Sequence, residues 1–367
     1  MKIVQILPEL NAGGVERGTL EIAAHLVREG HEAIVVSNGG RLVEALEKSG
    51  ARHVAMPVHR KSLATLLQVK PMRKFLTEEK PDIVHIRSRV PGWVTWLAWR
   101  GMDPATRPRL VSTVHGFYSV NHYSTIMTRG ERVIAVSESI RSYIQENYPK
   151  TPVGKIRVIP RGIEPDNYGT DFQPSPDWLA RWQSEQPNLQ GKCVLLLPGR
   201  ITRLKGHEDF FNLAAALKKE GIPAHGLVAG DTHEKKRAYL DELRGIVGTL
   251  GISDDITFLG HRSDIREVMA VSDIVLALSQ QPESFGRTVL EAMALGKPVV
   301  GYDCGGVGEL LATLFPSGRV PLGDAARLLA ATRTVIRDRP QPLSVGEPFT
   351  LEAMCRSTLD VYRELAG

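Results

Sequence analysis

Two glutamates eight residues apart open the chemical reading of this chain. Glu283 and Glu291 lie in Pro282-Glu283-Ser284-Phe285-Gly286-Arg287-Thr288-Val289-Leu290-Glu291-Ala292-Met293. This stretch follows a strand-like apolar run and leads into a helix, so Phe285, Gly286, Arg287 and Thr288 fall at the helix start. Free backbone N–H groups and the positive dipole end make a helix start an anion site. Carboxylates accept hydrogen bonds from paired hydroxyls. Glu283 and Glu291 are thus placed to address the two ends of a hydroxyl-rich molecule whose phosphates rest on the helix start between them. A helix with a solvated glutamate at each end is the alternative that spacing leaves open.

Three further stretches carry residues of chemical interest. In Pro198-Gly199-Arg200-Ile201-Thr202-Arg203-Leu204-Lys205-Gly206, Arg200 and Lys205 emerge from a strand–helix turn. Two fixed cations there suit a diphosphate, although solvated turn residues would look the same. In Asn11-Ala12-Gly13-Gly14-Val15-Glu16-Arg17 the glycine pair permits close backbone approach of a ligand, or simply a tight turn. It is not the G-x-G-x-x-G of a dinucleotide site, and G-x-x-x-x-G-K-[ST] is absent from the chain. Ser112-Thr113-Val114-His115-Gly116 ends a strand with a histidine that either faces a ligand cleft or serves the fold.

The elements that must position these residues alternate. Strands are predicted at 2–7, 33–37, 54–57, 83–86, 110–114, 132–136 and 156–159, with helices at 15–29, 63–79, 91–100 and 139–148. In the first helix Leu20, Ala23, Ala24 and Val27 form the apolar face. Residues 165–190 carry Pro165, Gly169, Pro174, Pro176 and Pro187 and read as a linker. The rhythm restarts with strands at 194–197, 224–229, 256–259, 274–278 and 298–301 and helices at 206–220, 234–250, 265–271 and 288–295. This is an α/β chain of two doubly wound parallel-sheet domains, 1–168 and 169–350, with a last helix from Leu351. A ligand is expected in a cleft at the carboxyl ends of the strands.

Composition bounds the rest. The 367 residues exceed one core, and 42% hydrophobic with 24% charged residues describes an ordinary globular chain. The net charge of +5 is too small to imply nucleic acid. It is uneven: residues 1–168 hold 24 Lys+Arg against 16 Asp+Glu, and the remainder 22 against 25. The first half therefore suits an anionic partner. Cys193, Cys304 and Cys355 have no zinc or local disulfide spacing and read as buried, reduced thiols of a cytoplasmic protein. The N-terminal apolar run is short for a signal peptide, and no stretch reaches the ~20 apolar residues of a membrane span.

Taken jointly, these stretches resemble the family-4 glycosyltransferases, which have the GT-B fold of two Rossmann-like domains. Glu283 and Glu291 match the E-x7-E signature. Gly199, Arg200, Lys205 and Gly206 match the Gly-Arg…Lys-Gly element. Gly13, Gly14, Glu16 and Arg17 match the glycine loop, and His115 with Gly116 the first-domain His-Gly. Ala135-Val136-Ser137 and Phe258-Leu259-Gly260 also fit. Arg161 departs from the pattern, standing where Asn is usual, and Glu164 stands where Asp is frequent.

The resemblance implies retaining transfer of a hexose-type sugar from a nucleoside diphosphate sugar, UDP being the commonest donor, with no metal and no cofactor. No Asp-x-Asp pair is present. Arg200, Lys205 and the amides of Phe285 to Thr288 would stabilise the leaving diphosphate. Glu283, with Ser284 beside it, would bind the donor sugar and Glu291 the ribose. Gly260, His261 and Arg262 would lie near the base and meet it through backbone groups, and Gly14 and Gly199 would border the donor. Gly13, Glu16, Arg17, Arg87, Arg89 and His115 would serve the acceptor, with His115 also supporting the sugar ring. The last helix would cross back onto the first domain.

The implied acceptor is a bacterial cell-envelope glycan or glycolipid such as lipopolysaccharide core. Arg87, Arg89, Arg100, Arg107 and Arg109 beside Trp93, Trp96 and Trp99 suggest an anionic inner-membrane surface for a peripheral, cytoplasmic enzyme. Indoles packed on the sheet under solvated arginines are the alternative. A GT-B enzyme of other chemistry (an epimerase or a sucrose-type synthase) and a non-catalytic sugar-nucleotide binder are the competing functions.

Overall fold

A computed structural model of the protein describes residues 1–11, 13–231 and 237–367. The chain forms two compact units, Met1–Gly162 with Pro348–Gly367, and Ile163–Glu347.

The first unit is a seven-stranded parallel sheet. Its strands are β1 (Lys2–Ile6), β2 (Glu32–Ser37), β3 (Arg52–Ala55), β4 (Ile83–Ile86), β5 (Arg109–Val114), β6 (Arg132–Ala135) and β7 (Ile156–Val158), in the order β3-β2-β1-β4-β5-β6-β7. Ile3 is in register with both Ala33 and Ile83, and the order in which successive strands are added across the sheet reverses at β1/β4. Such a switch point opens a crevice at the carboxyl edge. Strand alternation sends Val4, Ile6, Ile34 and Val84 to one core. Ile3, Ala33, Val35 and Ile83 go to the other, which the last helix, Leu351–Ala366, completes with Met354, Cys355, Leu359 and Tyr362.

The second unit is a six-stranded parallel sheet of β8 (Cys193–Pro198), β9 (Ala224–Ala229), β10 (Ile256–Gly260), β11 (Ile274–Ala277), β12 (Val299–Tyr302) and β13 (Arg319–Val320), in the order β10-β9-β8-β11-β12-β13. Its switch point is at β8/β11.

Several expectations are corrected. The boundary falls after Gly162, not after Tyr168, because Gly162 sits against the Thr350 carbonyl; a Cβ there would lie 2.2 Å from that oxygen. The supposed linker holds the helix Pro176–Glu185, capped by Ser175 with Pro176 in its first turn. Its Trp178 and Trp182 are buried and stacked 5.1 Å apart, and Trp178 Nε1 donates to Asp264 at 2.8 Å, so it belongs to the second unit.

The helix expected at 63–79 is a 3-10 turn, Leu63–Gln68, followed by an α-helix, Val69–Glu79. Pro71 explains the break, since its ring cannot follow a helical carbonyl at position 67. The first helix, Gly14–Arg28, buries Gly18, Thr19, Ile22, Ala23, His25 and Leu26, and half-buries Leu20, Ala24 and Val27. Helices Val43–Lys48, Gly306–Leu314 and Ala325–Asp338 were not expected. The helix expected from Glu234 is described over Arg237–Thr249, and 234–236 lie outside the described residues. The cysteines are all unpaired, but only Cys355 is buried; Cys193 and Cys304 are half-buried. Among the described residues no helix is long and apolar enough to cross a membrane.

Candidate active site

In the second unit, the loops leaving β8 and β11 meet. Gly199 follows β8 with φ 136°, and the Lys205 stem passes over its bare Cα. The 3-10 turn Arg203–Lys205 ends on Gly206, which is left-handed at φ 70°. A Cβ on Gly206 would stand 2.1 Å from the Leu278 carbonyl oxygen, so glycine is required there. This turn delivers Lys205 Nζ to within 2.6 Å of Glu283 Oε1. Ser279 Oγ donates to the same oxygen. Burial pushes the Glu283 carboxyl up, but the Lys205 charge and the two hydrogen bonds outweigh it and hold the group below the usual glutamate value.

The Glu283 backbone is equally restrained. Its carbonyl accepts from Gly306 N at 2.7 Å, and Glu283 bridges Gly305. A Cβ on Gly305 would meet the Glu283 carbonyl at 2.5 Å, and one on Gly306 the Phe285 Cα at 2.4 Å. Ser279, Gly305 and Gly306 were not anticipated; the Gly-Gly pair after a strand was the signal for the last two. Gly286 (φ 92°) then turns the chain into the helix Arg287–Ala294, whose start has no side-chain cap. Phe285 is buried, Ser284 and Thr288 are half-buried, and Thr288 and Val289 of the first turn line the same small cavity as Lys205 and Glu283. Glu291 is buried one turn into the helix, with Arg287 Nε 3.3 Å from its carboxylate.

Arg200 is exposed and has no ion-pair partner among the described residues. The neighbouring Arg203 is committed to Glu242 and the Tyr239 ring. Gly260 ends β10 with φ 65°, and His261 is exposed. The Arg262 guanidinium is held by Asp264 at 2.8 and 2.6 Å and lies over the Trp182 ring, so only the backbone groups of this turn are left for a base.

In the first unit, the residues assigned to the acceptor gather at the carboxyl edge of the sheet. Gly13 (φ 137°) starts the first helix, again without a side-chain cap, and leans on Glu16. Gly14 has open space where a Cβ would be. Arg17 is exposed and pairs with Glu21 at 3.2 Å. His115 follows β5 and accepts at Nδ1 from Arg161 Nη2 at 2.6 Å. Arg89 donates to Ser124 and lies over the Tyr118 and Tyr123 rings.

Arg87 corrects the expected surface cluster. It is 1% exposed, donates to Gln5 Oε1 at 3.0 Å, and leaves Nε and Nη2 buried without partners among the described residues. The indoles are also engaged in packing. Trp93, Trp96 and Trp99 lie against the core; Trp93 Nε1 donates to the Tyr123 carbonyl and Trp99 Nε1 to that of Pro108. Arg107 covers Trp99, and Arg129 covers Trp96.

Two doubly wound units, each with its polar loops at a carboxyl sheet edge, have the architecture of the GT-B fold. The chain belongs to the family-4 glycosyltransferases: residues 12–167 match Glycosyltransferase Family 4 and residues 180–347 match Glycosyl transferases group 1. It is 33% identical to the 2-deoxystreptamine N-acetyl-D-glucosaminyltransferase of Streptomyces fradiae, over 89% of this chain and 83% of the relative. It is 30% identical to the lipopolysaccharide core biosynthesis mannosyltransferase LpcC of Rhizobium leguminosarum bv. viciae, over 66% and 67%. The fold is shared with Anabaena HepE, solved in complex with UDP and glucose, at TM-score 0.79 and 21% identity over 99% of this chain and all of that one.

Proposed function

We propose that this glycosyltransferase moves a hexose-type sugar from a UDP-sugar to a cell-envelope glycan or glycolipid such as lipopolysaccharide core, with retention and without a metal. The observation that carries the donor side is the Lys205–Glu283 pair beside an uncapped helix start. Breaking the sugar–phosphate bond leaves charge on the diphosphate. Lys205, Arg200 and the amides from Phe285 to Thr288 offer fixed positive charge for it, which is the preorganisation that lowers such barriers most. Glu283, kept ionised, accepts from donor-sugar hydroxyls, and Glu291 from the ribose. The residues assign no nucleophile to the opposite sugar face, so the reading is same-face substitution, a phosphate oxygen taking the acceptor proton. His115 donates to the sugar or acceptor. Support for UDP comes from the ligand of HepE, and support for the acceptor class from LpcC.

The lipid-surface part of the reading centres on exposed leucines beside Trp93. Leu63 is 85% and Leu67 74% exposed, with Leu66 beside them. Arg60 and Lys61 line the same groove as Leu63 and Leu66, Lys70, Arg73 and Lys74 follow in the sequence, and no acidic residue occurs between 59 and 77. Exposed leucines in a basic field suit an anionic lipid surface.

A thermal-shift panel with UDP, GDP and ADP, followed by product analysis with the stabilising nucleotide's sugars, tests the function. A ligand at 100 times its Kd adds about 2.7 kcal/mol. Stabilisation by GDP or ADP alone would replace the donor, and a shift with none of the three would remove the nucleotide-sugar reading.

A further inference from the structure

We propose that Arg161 is a positioning residue that locks His115 as the neutral imidazole protonated at Nε2, with that N–H reserved for a substrate oxygen. The inference rests on the reading of His115 as a substrate-facing group and adds how its donor is made. Arg161 stands where this chain departs from the usual family pattern, so the device belongs to this sequence.

A guanidinium has five N–H donors, no acceptor, and stays charged. Arg161 Nη2 lies 2.6 Å from His115 Nδ1. Nδ1 must therefore be the acceptor, and the single proton of a neutral ring must sit on Nε2. That nitrogen is buried and has no partner among the described residues. A buried donor left unpaired costs free energy that a folded protein ordinarily avoids, and a ligand oxygen would recover it.

The surroundings oppose a second proton. Arg161 faces the ring from the exit of β7 and fully buried Arg87 from the exit of β4. His85, on β4, spends Nδ1 on Tyr362 and Nε2 on Thr113, both at 2.6 Å. Tyr118 accepts from the His115 backbone N–H at 3.2 Å. Burial, then Arg161, Arg87 and His85, all push the His115 value well below that of a free histidine. A protonated ring would lose the Arg161 contact and add a third positive charge beside two guanidiniums. Gly18 gives these guanidiniums their space: a Cβ there would lie 2.6 Å from Arg161 Nη1 and 3.3 Å from Arg87 Nη2.

The test uses the whole chain labelled with ¹⁵N-histidine, the ring of His115 being assigned by its loss in His115→Asn. In the wild type the couplings should report an Nε2-protonated ring that takes up no proton between pH 8 and 5.5. In Arg161→Asn the ring should sample both tautomers, with its midpoint moved up from that of the wild type while burial, Arg87 and His85 still hold it below that of a free histidine. The kcat of that variant should begin to fall at a higher pH than that of the wild type as the solution is acidified. Arg161→Lys, which keeps a cationic donor, should restore part of the wild-type profile. An Nδ1-protonated ring in the wild type would overturn the proposal without any variant. So would Arg161→Asn with unchanged couplings and titration. Where sugar transfer itself is absent, the ring spectra still decide the Arg161 assignment, and the functional reading alone fails.

Discussion

Lys205 and Glu283 are 78 residues apart in the chain and meet Nζ to Oε1 at 2.6 Å. The contact requires the left-handed Gly206 on one side and the Gly305–Gly306 cradle on the other. It fixes a cation and an anion side by side, so one can face a phosphate while the other faces hydroxyls.

Lys205→Ala and Arg200→Ala should each lower turnover by more than ~10²-fold, as loss of one transition-state donor does. They differ in stability. Lys205→Ala strips a half-buried carboxylate of its partner and should lower Tm, whereas the exposed Arg200 should leave Tm unchanged. Near-normal nucleotide release by both variants would sink the proposed role of the two cations.

Gly206→Ala and Gly14→Ala separate fold from site. At Gly206 the backbone is left-handed and the added carbon would strike the Leu278 carbonyl, so the variant should lose about 2 kcal/mol or more in urea unfolding. Gly14 has room for a Cβ, and Gly14→Ala should unfold no more easily than the wild type. If a ligand approaches the backbone there, its turnover should still drop on the order of tenfold. Normal turnover would remove Gly14 from the site.

Acid should destabilise the second unit in a defined window. His207 and His225 are buried, and burial pushes each down to about 4. Unfolded, they take up protons near 6.5, so the folded state binds fewer and stability falls as pH drops from about 6.5 to 4. Above 6.5 their contribution is complete and flat. Glu283 acts lower: its value is depressed, so the stability it adds is lost as pH falls through that value, below the ordinary glutamate range. Melting curves from pH 7.5 to 4.5 check this, and His225→Gln should flatten part of the fall. An unchanged slope would reject the assignment.

Flotation with vesicles tests the exposed leucine patch. The protein should float with anionic vesicles at low salt, each nearby Lys or Arg adding about 1 kcal/mol, and Leu63→Asp with Leu67→Asp should abolish it. Equal recovery with neutral and anionic vesicles would dispose of the lipid surface.

The reach of sequence reasoning followed the range of the interactions. Buried parallel strands are continuous apolar runs, so both sheets were legible, as was the helix start at Arg287, which Gly286 announces locally. What escaped depended on distant partners. Arg87 looks like surface in a sequence, and only its place behind β4, against Gln5, makes it interior. Trp178 and Trp182 sit in a Pro-rich stretch whose core is supplied by Asp264 and Arg262. Glu283 and Lys205 were individually visible, but their bond was not, nor was the Ser279 hydroxyl that shares it.

The last helix bears on how the polypeptide is made. Tyr362 bonds His85 across 277 residues, and Met354, Cys355 and Leu359 fill the core begun by Ile3. On the ribosome, the first unit therefore emerges with one face of its sheet only partly covered, by the first helix, and must wait while the second, Ile163–Glu347, is translated entire. The second unit can close as soon as its own residues are out. Order of synthesis and order of completion are thus reversed, and a chaperone that shields apolar sheet faces would find its substrate in the half of the protein made first.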